Sequence, residues 1–182
     1  AVEATRLGAF DFVQKPLSLA KLLATVRSAL AANVRESSNA AHLPPASAPQ
    51  GSSPQSQLLR RTAQQAAGAQ APVLITGEPG SGKQSLAAWL HEQSGQTGPF
   101  KVLDRIQLSG DKPRDYLLGT DTQPGALAQA DGGTLFIPEL MDIALDTQAL
   151  LAAIMESSAY TPEGTHDQRP LNCRVISAIS CD

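Results

Sequence analysis

Cysteine is scarce: Cys173 and Cys181 are the only two in a chain of 182 residues. Two thiols cannot build a disulfide framework or a multi-cysteine metal cluster. Both fall in one apolar terminal segment, where buried structural thiols are expected. Basic runs are missing as well. Fourteen Lys+Arg stand against 17 Asp+Glu, a net charge of -3, and no stretch has the density of cations that grips a phosphate backbone, so direct DNA binding by this segment is not expected. No apolar run approaches the roughly 18 residues needed to cross a bilayer. The opening Ala-Val-Glu-Ala has no charged-then-apolar leader, which points to a cytoplasmic protein without a membrane partner. No internal repeat is visible.

A hydrophobic content of 42% is enough to bury an ordinary soluble core. Residues 31–54, AANVRESSNAAHLPPASAPQGSSP, are rich in Ala, Ser and Pro without apolar period, and read as a flexible linker. Before it, Leu19, Leu22, Leu23, Val26 and Leu30 recur at helical spacing behind Ser18, predicting an amphipathic helix over 18–30. Residues 1–30 are too few for a core of their own. After the linker, helical and strand patterns alternate, the mark of a layered α/β fold with a parallel sheet. Leu58, Leu59, Ala63 and Ala66 suggest a first helix. Strands are expected at 72–76, 100–106, 134–137 and 173–179, with helices over 84–93 and 146–156.

The most specific feature is VLITGEPGSGKQS, in which an apolar strand feeds Gly77, four residues, Gly82, Lys83 and then a helix. That is the context of a phosphate-binding P-loop. Glycines let successive backbone N–H groups of Gly77, Glu78, Pro79, Gly80, Ser81 and Gly82 curl toward phosphate oxygens, apart from the proline, which has none. Lys83 adds a charge, and the helix opening at Lys83, Gln84 and Ser85 adds its dipole. The residue after the lysine is Gln84, where most P-loops place a magnesium-binding hydroxyl. Its neutral amide is a poorer ligand, so phosphate binding is better supported than metal binding.

Around that loop the chain resembles the central AAA+ domain of NtrC-like enhancer-binding proteins, which use ATP to remodel sigma-54 RNA polymerase. The resemblance runs through APVLITGEPGSGKQSLAAWLHEQS, GALAQADGGTLFIPEL, LLAAIMES and RPLNCRVISAIS. It implies a P-loop core over 55–182, with ATP or ADP as cofactor. The stretch AVEATRLGAFDFVQKPLSLAKLLATVRSAL resembles the C-terminal end of a flavodoxin-like receiver domain over 1–30, with Lys15 in the place of the phosphoryl-contacting lysine and Phe12 in that of the switch aromatic. The receiver's phosphoacceptor aspartate, and the lid, arginine fingers and helix-turn-helix of the family, are not matched in the sequence.

Three departures from the family stand out. GGTLFIPEL resembles the Walker B strand, which ordinarily ends in adjacent Asp and Glu, but here the pair is Pro138 and Glu139. Proline offers neither carboxylate nor N–H, which leaves magnesium weakly held and Glu139 as the candidate for polarising water. YLLGTDTQPGALAQADGG runs from Leu118-Gly119 to Gly125 without the GAFTGA loop that touches the sigma factor. The family's sensor Thr-Asn pair is matched by Ile179 and Ser180, and Arg174 nearby reads as a solvated strand-edge charge. The resemblance therefore implies a two-component transcriptional regulator with a degenerate ATPase. A sensor kinase and RNA polymerase are its implied partners, and a full-length form is expected to self-associate. An active sigma-54-dependent ATPase and an unrelated P-loop small-molecule kinase are the competing readings.

Overall fold

The computed structural model describes residues 46 and 48–181. The receiver-like segment with Phe12 and Lys15, the helix expected over 18–30 and most of the expected linker lie outside the described residues. The linker's final residues do not stand apart from the α/β domain. Ala46 and Ala48 pack against the core, and Arg60 donates to the Pro49 carbonyl at 2.8 and 3.0 Å and to that of Gly51 at 3.2 Å.

Helix α1 (Pro54–Ala67) starts where a cap and a proline coincide. The Ser53 hydroxyl accepts from the Ser56 N–H at 3.1 Å, and Pro54 occupies a first-turn position where its missing N–H is not needed. Strand β1 (Val73–Gly77) and helix α2 (Lys83–Gln93) come after it. Strand β2 (Phe100–Val102) is shorter than the 100–106 expected, because Asp104 ends it: its carboxylate accepts from the Ile106 N–H at 2.8 Å and opens helix α3 (Arg105–Leu108). Helices α4 (Pro113–Leu118) and α5 (Ala126–Gln129), strand β3 (Thr134–Ile137) and helix α6 (Leu145–Ser157) come next. Strands β4 (Ala159–Tyr160) and β5 (Arg169–Pro170) pair antiparallel, and β6 (Arg174–Ser180) closes the order.

The main sheet runs β1-β6-β3-β2, with every neighbouring pair parallel. Its two faces arise from the period-2 alternation of strand side chains. On β3, Phe136 points to a cluster with Ala63, Ala67, Ala87, Leu90 and Ile176 from the α1/α2 side. Its neighbours Leu135 and Ile137 point to a second cluster with Leu103, Leu117, Leu127 and Leu151 from the α3–α6 side. Both faces are thus covered by helices, and β3 is buried at every position, apolar after its opening threonine. This is the layered α/β fold with a parallel sheet that the alternation of patterns predicts.

Gly98 and Gly133 show why the β2–β3 end is glycine-rich. A Cβ on Gly133 would lie 2.1 Å from the Pro99 carbonyl oxygen, so two backbones meet here with no room for a side chain.

Candidate functional site

Parallel pairing brings the carboxyl ends of β1, β6 and β3 to one edge of the sheet, the usual place for ligands in open α/β folds. Gly77, the last residue of β1, is in register with Ser180, the last residue of β6, and Ile137 of β3 is in register with Ser177. The three segments expected to carry the chemistry therefore converge although they are far apart in sequence.

The loop after β1 has the backbone its glycines allow. Gly80 and Gly82 sit at φ of +79° and +88°, a region that L side chains rarely adopt, and the Ser81 N–H closes a turn on the Glu78 carbonyl at 3.2 Å. Glu78, Pro79, Gly80 and Ser81 are exposed. Gly82 is the N-cap of α2 and carries no side chain that could cap it, so the helix N-terminus, with Lys83, Gln84 and Ser85 in its first turn, faces the loop uncapped. Beside it lies an open cavity of about 780 Å³, lined by Pro49, Leu59, Thr62, Leu74, Gly77 and Lys83 among others. That is within the usual size of a small-molecule site, apolar toward α1 and polar toward the loop.

Lys83, Ser180 and Glu139 form one hydrogen-bonded chain. The Lys83 ammonium donates to the carbonyls of Gly77 at 2.8 Å and Glu78 at 2.9 Å, and to the Ser180 hydroxyl at 3.1 Å. Ser180 in turn donates to both carboxylate oxygens of Glu139, from its N–H at 2.7 Å and its O–H at 2.6 Å. The Ser180 hydroxyl, with help from its N–H and from the charges of Lys83 and Arg105, holds the Glu139 carboxyl below the ordinary glutamate range, against a smaller opposing effect of burial. Arg105 itself pairs with Asp142.

Magnesium fits this donor set poorly. The ion favours an octahedral shell of oxygens that includes one or two carboxylates. Here Pro138 has no side-chain ligand, Gln84 has a neutral amide, and both oxygens of Glu139 are already engaged by Ser180. Among the described residues no group of three or more His, Cys, Asp or Glu could hold a metal ion.

At the position of the expected missing loop, the chain makes a tight turn. Gly119 and Pro124 form an antiparallel bridge, and the Thr120 N–H donates to the Gln123 carbonyl at 2.9 Å. Gly119, at φ +81°, and Gly125 are pressed together: a Cβ on Gly125 would lie 2.2 Å from the Gly119 nitrogen.

Two expectations are corrected. Arg174 is not a solvated edge charge; it is 2% exposed, and its guanidinium donates to the carbonyls of Ala66 at 2.6 Å, Ala71 at 3.2 Å and Ala67 at 3.4 Å. It caps the end of α1, whose last turn contains no basic residue of its own. Cys181 is exposed and Cys173 only half-buried, so the pair is not a buried couple, although burial still pushes the Cys173 thiol up to about 11. Sequence reasoning also missed the part-buried trio in which Thr134 meets Gln96 at 2.7 Å and His91 at 2.9 Å. Its signal is a threonine opening an otherwise apolar strand, which needs polar partners when buried.

Among the described residues no helix is long and apolar enough to cross a membrane. The sigma-54 interaction domain matches residues 50–182. The C4-dicarboxylate transport transcriptional regulatory protein DctD of Rhizobium meliloti is 32% identical over 198 residues, spanning 100% of this chain and 43% of its own. The response regulator protein PilR of Pseudomonas aeruginosa is 31% identical over 192 residues, spanning 100% and 42%. The crystal structure of NtrX from Brucella abortus in complex with ADP superposes with a TM-score of 0.67 at 27% identity, covering 100% of this chain and 40% of that one. The same protein in complex with ATP gives 0.67 and 27%, covering 100% and 43%. The chain thus spans less than half the length of these relatives. With the domain match and these relatives in agreement, the chain belongs to the sigma-54 interaction domain family of NtrC-like enhancer-binding response regulators.

Proposed function

We propose that the chain is the nucleotide-binding core of a two-component transcriptional regulator that takes up ATP or ADP through Gly77–Ser85 and hydrolyses it weakly or not at all. Gly77, Glu78, Pro79, Gly80, Ser81, Gly82, Lys83, Gln84 and Ser85 supply the phosphate cradle, and the cavity beside Leu59 and Leu74 takes the base and ribose. Similarity to NtrX, whose crystal structures hold ADP and ATP, supports the same ligand class.

The observation that carries the weak-hydrolysis reading is Pro138 at the end of β3, directly before Glu139. Phosphoryl transfer in P-loop enzymes relies on a metal ion to offset charge on the phosphates. The donor set around Pro138 is poorly suited to hold one. The protein would then act by binding and not by remodelling, in a cytoplasmic pathway with a sensor kinase upstream and RNA polymerase downstream. The turn at Gly119–Gly125, which leaves no projecting element there, favours the same conclusion.

An active sigma-54-dependent ATPase is the rival reading, favoured by Glu139, just past the end of β3, and Lys83, at the start of α2, both reaching Ser180 at the end of β6. Calorimetric titration with ADP tests the shared premise. Binding by the parent that Lys83→Ala abolishes supports the P-loop assignment. Equal affinity in both refutes it.

A further inference from the structure

The Lys83 ammonium has three N–H donors, and all three have acceptors: the Gly77 and Glu78 carbonyls and the Ser180 hydroxyl. Because the Ser180 oxygen accepts from Lys83, its own hydrogen is free to go elsewhere, and it goes to Glu139. The Ser180 N–H takes the other carboxylate oxygen. Glu139 is therefore gripped at both oxygens by one residue, one hydroxyl away from the lysine that the phosphates need. It cannot swing out to solvent without giving up two charge-assisted hydrogen bonds.

We propose that Glu139, positioned by Ser180, is an internal counter-anion that competes with nucleotide phosphates for Lys83 and so sets the affinity and charge preference of the site. The proposal rests on the P-loop reading but assigns Glu139 a role in binding rather than in activating water. A polyphosphate entering the cradle meets a lysine whose three donors are already engaged, and a fixed carboxylate one hydroxyl away that repels it. The penalty grows with the charge of the phosphate chain, so bare ATP is disfavoured more than bare ADP. Arg105, the other cation acting on Glu139, is paired with Asp142 and relieves this only partly.

The test is isothermal titration calorimetry on the 182-residue chain with ADP and ATP in a chelator-containing buffer, at low and high potassium chloride. Replacing the carboxylate by a neutral isostere, Glu139→Gln, is expected to tighten ADP binding roughly tenfold at low salt, and ATP binding more, because like charges a few ångströms apart near a surface interact on that scale. Ser180→Ala, which releases one of the two holds on the carboxylate, is expected to give a smaller gain. In both cases the advantage over the parent should shrink at high salt, which a purely structural effect would not do. If Glu139→Gln and Ser180→Ala bind as the parent does while Lys83→Ala does not bind, the counter-anion role is overturned and the P-loop assignment stands. If no variant and not the parent binds either nucleotide, both fall. Should Glu139→Gln fail to fold in a thermal melt, an unchanged affinity in Ser180→Ala at both salt levels overturns the proposal on its own.

Discussion

Arg174 donates from Nη2 to the Ala66 carbonyl at 2.6 Å, tying the first residue of β6 to the last turn of α1 across 108 positions of sequence. The guanidinium adds charge-assisted bonds at a buried helix end, where the Ala66 carbonyl also accepts from the Ala69 N–H, and burial lowers its pKa without a carboxylate to compensate. Arg174→Ala should cost roughly 2–4 kcal/mol, since it removes several charge-assisted bonds made by a buried side chain. Arg174→Lys should recover only part of this, because one ammonium cannot reproduce the planar fork. Urea denaturation of the three proteins measures it.

Gly125 is the second structural test. Its missing Cβ would meet the Gly119 nitrogen at 2.2 Å and the Leu117 carbonyl at 2.5 Å, both backbone atoms that cannot step aside. Gly125→Ala should therefore lower stability by about 1–3 kcal/mol through overpacking. A control at Gly95→Ala, where a Cβ meets nothing within 4 Å but φ is +71°, reports backbone strain alone and should cost less. Thermal melts separate the two.

His91 gives a pH dependence with a definite sign. Burial lowers its pKa, with Glu92 and Gln96 opposing. Since the Thr134 hydroxyl donates to Gln96, the His91 Nδ1–H is left to donate to Thr134. A base whose folded pKa is depressed is protonated first in the unfolded chain. The stability it contributes is thus fully present above the unfolded value of about 6.5, and is lost as pH falls from there toward the folded pKa. The melting temperature should fall between about pH 7.5 and 5.5, and His91→Gln should flatten that slope.

Pro138→Asp restores a carboxylate at the end of β3. It should strengthen magnesium-dependent nucleotide binding in calorimetry while leaving binding in chelator no better than the parent's, since it adds a further anion near Lys83. Tighter binding in chelator would count against the charge argument.

Much of the site is legible in the sequence, because it is local. The glycine spacing from Gly77 to Lys83 encodes its own loop, and the apolar Leu135–Ile137 with its opening threonine is bounded by glycines and proline, so strand and ends coincide with expectation. Lys83, Ser180 and Glu139 are each marked by resemblance, but their hydrogen-bonded chain depends on the register of β1 with β6, which no local pattern carries. Arg174 escapes sequence reading for the same reason. Its partners are the carbonyls of Ala66, Ala67 and Ala71, and backbone acceptors leave no trace in a sequence. The strand expected over 100–106 is too long because Asp104 is a cap only if the chain turns there. Short helices such as Arg105–Leu108 hold too little periodicity to be seen.

Steady-state ATP turnover by the unmodified chain in magnesium is the measurement that bears most directly on a nucleotide-binding core without effective hydrolysis. Each 1.36 kcal/mol of lost transition-state stabilisation is about tenfold in rate, so a poorly held metal alone should bring turnover close to background. The expected rate is near that of the buffer, unchanged by Glu139→Gln. Brisk magnesium-dependent hydrolysis that Glu139→Gln abolishes would contradict this and establish the chain as an active ATPase.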